Sequence, residues 1–201
     1  MRECSGCTLC CKLMPMSAKG NERAGPLSVQ MQLAGLWPPN LKIAPDFDKP
    51  AGVRCPHQRH GKGCNIYLTR PFGCRMWFCR WLINDDMDDC SRPDRVHYVV
   101  DINPDFVVND GQTIKVVQVW LDRDYPNAHR DPKLRAFMER RARLNNYATL
   151  VRTNNESALL VIPPAMANDG QWHEIQAASQ EHEHTHEEKM RAGLDVTVMM
   201  Q

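Results

Sequence analysis

Hydrophobic and polar positions form a regular pattern mainly in the second half of the chain. Val, Ile and Tyr alternate with polar residues over 96–102, and after a short turn strand-like sequence continues over 106–108. A third apolar stretch covers 113–121, and this kind of alternation is typical of half-buried β-strands. Asp110 and Gly111, flanked by β-branched residues, predict a hairpin turn before the third stretch.

The pattern then changes to a helical period and back. Asp131 followed by Pro132 predicts a helix start, and apolar residues recur at near-helical spacing through residues 132–145. Residues 147–153 and 157–162 read as a second hairpin. The sum predicts an α+β fold in which a small antiparallel sheet carries one main helix.

The first half of the chain has much less periodic sequence. Pro71 stands at a favourable first helical position, which predicts a helix over 71–84. Residues 29–37 could form two or three helical turns, and the rest of 14–54 is predicted to be loop. We therefore expect an irregular first half whose fold depends on bound metal.

An acidic, turn-rich segment near residues 85–94 suggests a boundary between two regions. A polar run rich in Glu and His begins after residue 176, and mobility is the usual expectation for such a terminus. The predicted organisation is a cysteine-cluster metal-binding region at 1–90, an α+β module at 91–175, and a mobile tail at 176–201.

Composition narrows the partners. The 201 residues carry 25 Lys and Arg against 24 Asp and Glu, a formal charge of +1, so no strong field favours nucleic acid or an anionic membrane. The apolar stretches fall short of the roughly 20 residues that a membrane-spanning helix needs. The first residues also lack the apolar segment of an export signal, so we expect a cytoplasmic protein.

Nine cysteines are the unusual feature, and four of them lie within the first eleven residues. In a reducing cytoplasm, closely spaced thiols are more often metal ligands or redox centres than disulfides. An odd number also fits poorly with a complete set of disulfides. We therefore expect bound metal before disulfides.

The spacing Cys-x2-Cys-x2-Cys-Cys at residues 4–11 suits a metal in two ways. In a helix, the four thiols would lie within an arc of about 120°. In a knuckle, which Gly6 favours, the first Cys-x2-Cys pair would meet one ion at a Zn–S distance of about 2.3 Å. The first three positions also match bacterial ferredoxin spacing, whose distant fourth Cys precedes Pro, as Cys55 does here.

A second group of cysteines extends from residue 55 to residue 79 and includes nearby arginines and aromatic residues. We expect Arg75 to reach a cysteine sulfur or a carbonyl in the 4–11 segment, and Arg70 to brace the loop before it. The competing account makes these cysteines small buried hydrophobes and pairs the arginines with the acidic run at 85–89. The aromatic residues that could exclude water are Trp77, Phe78 and Trp81.

Together these motifs resemble a known family. Cys-x2-Cys-x2-Cys-Cys, then Cys-Pro, then Cys-x-Ile-Tyr-x-x-Arg-Pro-x-x-Cys-Arg, then Cys are similar to the YkgJ-type cysteine-cluster family, described as zinc- or iron-chelating and related to the metal-cluster part of flagellin lysine methylases. The resemblance covers residues 4–81 and implies a metal but no reaction. It leaves Cys90 outside the pattern and implies eight ligands: Cys4, Cys7, Cys10, Cys11, Cys55, Cys64, Cys74 and Cys79.

Histidines offer weaker candidates. His57 and His60 lie between two of the cysteines and could replace a sulfur, although a solvated turn is the simpler interpretation. The tail carries His182, His184 and His186, for which a mobile polar terminus is favoured over metal binding. Phosphate-binding, dinucleotide and serine-nucleophile motifs are absent from the sequence.

Two functions follow from these observations. The first is a metal-binding protein that holds zinc or iron, either as a structural ion or for transfer. The second is a redox or group-transfer enzyme with an iron–sulfur cluster, in line with the methylase kinship. Metal ions are the one partner that the sequence indicates.

Overall fold

A computed structural model of the chain describes residues 2–4, 6–18, 42–109, 111–154, 157–178 and 186–194. It contains helices and strands in an α+β arrangement, which confirms the predicted fold class. Among these residues, no helix has the length and apolarity needed to cross a membrane. The helix expected at 29–37, together with His182 and His184, lies outside the described residues.

The described helices are mostly short, and the strands are concentrated in the second half. The helices are α1 (Leu9–Leu13), α2 (Phe72–Met76), α3 (Arg80–Ile83), α4 (Pro93–Val96), α5 (Pro132–Asn145) and α6 (His186–Arg191). The strands are β1 (Gln58–Arg59), β2 (Gly63–Cys64), β3 (Tyr98–Asn109), β4 (Gln112–Leu121), β5 (Ala148–Arg152), β6 (Ser157–Ile162) and β7 (His173–Ala178). Short 3₁₀ turns cover Tyr67–Thr69, Asp85–Met87 and Ala128–Arg130.

The main sheet has five strands in the order β3-β4-β5-β6-β7. The prediction of a purely antiparallel sheet is wrong at one position, because β4 and β5 pair in parallel, with Val116 opposite Ala148. The chain leaves the end of β4, passes through α5 and re-enters the sheet in the same direction, as a parallel connection requires. The sheet is therefore mixed, while both predicted hairpins form as expected.

Strand β3 is one continuous strand where the sequence predicted two. Its pairing with β4 shifts register between Val100 and Pro104, and the strand continues beyond the shift. Because β3 is the first strand in the sheet order, Pro104 lies on an edge strand, where a missing N–H is tolerated. The predicted turn around residues 103–105 is thus replaced by a shift in register within one strand.

The helix predicted over 71–84 is also divided, into α2 and α3. The chain becomes extended at Trp77, with φ −104° and ψ 133°, and Cys79 forms an isolated antiparallel bridge with Asp101 of β3. The indole Nε1 of Trp77 donates a hydrogen bond to the Asp101 carboxylate at 3.0 Å. Docking of this segment on the edge strand replaces helical hydrogen bonds, and it carries Cys79 onto the sheet.

Helix α5 matches its prediction in both bounds. The carboxylate of Asp131 accepts hydrogen bonds from the amides of Lys133 and Leu134, both at 3.0 Å. This is the N-cap that the Asp-Pro pair predicted. Asn146 ends the helix in a left-handed conformation with φ 57°.

The tail prediction overlooked a strand. β7 pairs with β6 and reaches residue 178, so the segment after 176 begins inside the sheet. Helix α6 follows at His186–Arg191, and the leucine after it, Leu194, is buried in the core. Residues 179–185 lie outside the described part of the chain.

The two halves of the chain meet on one face of the sheet. Successive strand residues point to opposite faces, so Tyr98 and Val100 pack towards α5 while Val99 points the other way. Val99 and its cross-strand partner Trp120 form the floor on which the cysteine-rich half packs. That cluster contains Cys7, Leu9, Leu13, Ala51, Cys79, Val99 and Trp120.

Candidate metal centre

The first four cysteines lie on a tight turn followed by a short helix. The amide of Cys7 donates to the carbonyl of Cys4 at 3.1 Å, and Gly6 adopts φ 75°, which L-residues rarely adopt. Helix α1 begins only at Leu9, so Cys10 and Cys11 are helical while Cys4 and Cys7 belong to the turn. The arrangement combines the knuckle and the helix that the sequence left as alternatives.

The loop carrying Cys55 and Cys64 folds back onto this segment. The amide of Cys55 donates to the carbonyl of Cys11 at 3.1 Å, and the two-residue strands β1 and β2 close the loop as a small hairpin. At its tip, the carbonyl oxygen of Gly61 lies 3.2 Å from where a Cβ on Gly6 would be. Glycine at position 6 therefore permits both the turn and the close approach of the loop.

Four thiols form what we name the first thiol group: Cys4, Cys7, Cys10 and Cys79. They line a cavity of about 10 Å³, and the rest of its wall is apolar, formed by Trp81, Leu82, Pro93 and Val99. Burial raises the pKa of Cys79 to about 12. A hydrogen bond from Cys10 lowers the pKa of Cys4 to about 6, more than burial raises it.

The remaining four predicted ligands form the second thiol group: Cys11, Cys55, Cys64 and Cys74. Burial, and then the charges of Cys11 and Cys55, raise the pKa of Cys74 to about 12. Burial also raises the pKa of Cys64, and the charges of Cys11 and Cys55 act in the same direction, against a hydrogen bond with the Ile66 backbone that acts to lower it. These four side chains therefore lie within reach of one another's charge.

The two thiol groups meet at neighbouring residues. The Cys10 thiol hydrogen-bonds with both Cys4 and Cys11, and these bonds raise the pKa of Cys10 well above its ordinary value. The hydrogen bond between Cys10 and Cys11 lowers the pKa of Cys11, although burial acts to raise it. Cys90 lies apart in the cluster between the sheet and α5, where its side chain hydrogen-bonds with Tyr98.

A buried lysine that the sequence analysis did not identify lies beside the second thiol group. Lys49 is 5% exposed, and its ammonium donates to the carbonyls of Lys12 and Pro50 at 3.2 Å and of Val53 at 2.9 Å. Burial lowers the pKa of Lys49, while the charges of Cys55, Cys11 and Cys74 act to raise it. No sequence spacing indicates this residue, because a backbone bridge between Lys49 and Met16 brings it to the site.

The two predicted arginines make different kinds of contact. Arg75 donates to the carbonyl of Arg70 at 3.1 Å and to that of Leu68, which braces the loop, the task that was predicted for Arg70. The Arg70 guanidinium stacks over the Tyr67 ring at 4.1 Å, and its charge acts to lower the pKa of Cys4, Cys11 and Cys64.

The acidic run at 85–89 pairs with other arginines. Arg80 makes a two-pronged contact with Asp86, at 2.8 to 3.1 Å, and Arg2 pairs with Asp88. Two carboxylates of the acidic run, which the competing account would pair with Arg70 and Arg75, are therefore paired with other arginines. Trp81 lines the cavity of the first thiol group, as a water-excluding aromatic should.

Two observations bear on whether these residues suit a metal ion. In the part of the chain that the structure describes, no three Cys, His, Asp or Glu side chains form a group that could hold an ion as they stand. Within the same residues, the buried Nε of Arg70 lacks a hydrogen-bond acceptor. A nearby thiolate would supply one, and a Cys side chain can move its sulfur by rotating a single torsion between staggered positions.

The donor chemistry therefore fits a soft cation. His57 makes an edge-to-face contact with Phe47, with ring centroids 5.6 Å apart, which is a packing role. Comparison of the chain with protein-family models, curated proteins and solved structures finds no match in any of the three.

Proposed function

We propose that this is a metal-binding protein that holds zinc or iron through cysteine thiolates, as a structural ion or an ion kept for transfer. The observation that carries the proposal is the small cavity lined by Cys4, Cys7, Cys10 and Cys79. The turn and the start of helix α1 supply Cys4, Cys7 and Cys10, a distant segment supplies Cys79, and all four thiols share one apolar enclosure. Apolar side chains alone would fill such a space more closely.

The size of the cavity favours a single ion. Its volume of about 10 Å³, counted as the space open to the centre of a water molecule, is near the space that a single water needs. Four sulfurs at about 2.3 Å around one zinc ion form the closed tetrahedron of structural sites. An iron–sulfur cluster with a substrate beside it would need room for several more atoms, so the alternative of a redox or group-transfer enzyme receives less support.

Buried cations support the proposal through charge. Four thiolates around a divalent ion leave a net charge of about −2, which must be offset in a buried place. The charge of Arg70 acts on Cys4, and the charge of Lys49 acts on Cys10 as well as on the second thiol group, so both cations can offset it. The hydrogen bonds of Lys49 go to neutral carbonyls, so thiolates are its natural counter-charge.

We place this activity in the cytoplasm, where thiols stay reduced. All nine cysteines are free, as metal ligands must be. Metal ions are the proposed partners, and the near-neutral net charge gives no reason to add nucleic acid.

The test is to purify the protein anaerobically, measure its metals by elemental analysis and replace them with Co(II). We expect a protein containing zinc or iron without acid-labile sulfide, and a cobalt form with the intense sulfur-to-metal absorption of tetrahedral thiolate sites. Cys7→Ser should weaken that absorption. Protein that takes up no ion in saturating zinc, with all nine thiols titratable, would overturn the proposal; brown protein with labile sulfide would favour the enzyme alternative.

A further inference from the structure

A methionine sulfur lies against the second thiol group. The Cys74 thiol points at the thioether of Met16, with a distance of 3.7 Å between Sγ and Sδ. Both side chains are partly buried, and they come from segments far apart in sequence. The contact adds a fifth sulfur to the four thiols of this group.

The position of Met16 is fixed by its backbone. Its amide and carbonyl each bond to Lys49, with both nitrogen–oxygen distances 2.9 Å. The same bridge therefore joins the residue whose thioether contacts Cys74 to the residue whose ammonium interacts with the charges of Cys55, Cys11 and Cys74.

A glycine provides the space for this side chain. A Cβ built on Gly73 would lie 3.3 Å from Cε and 3.8 Å from Sδ of Met16. The amide of Gly73 is held by the Asp46 carboxylate at 3.2 Å, which fixes the backbone under the thioether. The methionine end is thus packed in one place beside Cys74.

The distance between the two sulfurs suits shared coordination. Two sulfurs bound to one ion at about 2.3 Å with tetrahedral angles lie about 3.8 Å apart. The observed 3.7 Å matches this spacing before any side chain rotates. An ion that replaces the thiol proton between them would reach both sulfurs.

The donor type selects the ion. Zinc in proteins takes thiolate, imidazole and carboxylate ligands, whereas a set of thiolates with a thioether suits Cu(I). We propose that the second thiol group binds Cu(I), with Met16 as a thioether ligand beside Cys74. This rests on the proposed function in that the cysteines act as thiolate ligands, and it assigns the two thiol groups different ions.

The test compares Met16→Leu with Met14→Leu, a methionine two residues away that packs against the buried cluster under the cysteine-rich half. Anaerobic, reduced protein is titrated with Cu(I) against a chromogenic Cu(I) chelator. Met16→Leu should weaken Cu(I) binding about tenfold or more, the size of effect seen at metal-site residues. Met14→Leu should bind as the wild type does.

A direct readout uses selenomethionine protein loaded with Cu(I). Copper-edge X-ray absorption should show a copper–selenium contact in the wild type that is lost in Met16→Leu. Equal Cu(I) affinity in both variants, or no copper–selenium contact, would overturn this inference. The cobalt spectrum of the first thiol group should be unchanged in Met16→Leu, so loss of the proposed zinc or iron site is a separate result.

Discussion

The backbone amide of Cys55 donates a hydrogen bond to the carbonyl oxygen of Cys11, with a nitrogen–oxygen distance of 3.1 Å. This bond joins the start of the hairpin loop to helix α1, and the tip of that loop returns to the turn at Gly6. Backbone contacts therefore hold the loop at its start and at its tip, and these contacts set where the two thiol groups can form.

Gly6→Ala should disturb this arrangement more than Gly61→Ala. Both glycines have positive φ, 75° and 68°, so each Ala carries the left-handed penalty of about 1 to 2 kcal/mol. Only the Cβ at position 6 would also meet a carbonyl oxygen, at 3.2 Å, since nothing lies within 4 Å of the Cβ at 61. The thermal unfolding temperature and the zinc affinity should both fall further in Gly6→Ala than in Gly61→Ala. Equal losses in the two variants would contradict the close packing at Gly6.

Lys49→Leu should weaken metal binding at the second thiol group by removing the buried positive charge. We expect about a tenfold loss of Cu(I) affinity, equivalent to about 1.4 kcal/mol, measured by competition with a chelator. Lys42→Leu is the control, because Lys42 is exposed. The substitution of Lys49 also leaves three carbonyls without a donor, so affinity and not stability is the informative quantity. Unchanged affinity in Lys49→Leu would remove Lys49 from the account.

The elements that the sequence predicted well are those in which local signals agree with the final packing. Helix α5 has an N-cap, a proline and an apolar repeat that all indicate one start, and the hairpin at Gly111 has the turn residues that its geometry requires. By contrast, the split between α2 and α3 depends on Cys79 docking on β3. No local pattern in residues 71–84 records that partner.

The candidate site shows the same division. The set of eight thiols is what the resemblance to the cysteine-cluster family implies, whereas the close spacing of the cysteines by itself indicates bound metal. Their division into two groups, which separates the neighbours Cys10 and Cys11, requires coordinates. Met16 and Lys49 were missed because their position depends on a backbone bridge, although a Met-Pro-Met sequence close to two cysteines could have been weighed as a soft-ligand signal.

Glu174 of β7 binds residues of the 3₁₀ turn at Ala128–Arg130 and of helix α5, and these contacts should make the free energy of unfolding depend on pH. It accepts from Arg130 at 2.6 Å and Arg135 at 2.8 Å, and lies 3.3 Å from His129. The bond from Arg130 lowers the pKa of Glu174 below its ordinary 4.5, against a smaller opposing effect of burial. Because the pKa of Glu174 is lower in the folded than in the unfolded state, its ion pairs stabilise the fold at pH values above the unfolded-state pKa. This contribution is lost as the pH falls through the folded-state pKa.

Glu174→Gln should therefore lower the free energy of unfolding at pH 7 by about 1 kcal/mol, because water screens partly exposed pairs. The difference from wild type should shrink as pH falls below about 4.5 and vanish in stronger acid. Glu187→Gln, in an exposed pair with Arg191, is the control and should change little. Chemical denaturation across pH measures this, and a difference that grows in acid would contradict the assignment.

The most direct test of the metal assignment counts ions in two matched variants, Cys79→Ser and Cys90→Ser. Both cysteines are buried, at 8% and 7% exposure, but only Cys79 lines the cavity of the first thiol group. Each protein is purified anaerobically, and metal per chain is measured by elemental analysis. The account predicts one ion fewer in Cys79→Ser and the wild-type count in Cys90→Ser; a full count in Cys79→Ser, or a lost ion in Cys90→Ser, would contradict it.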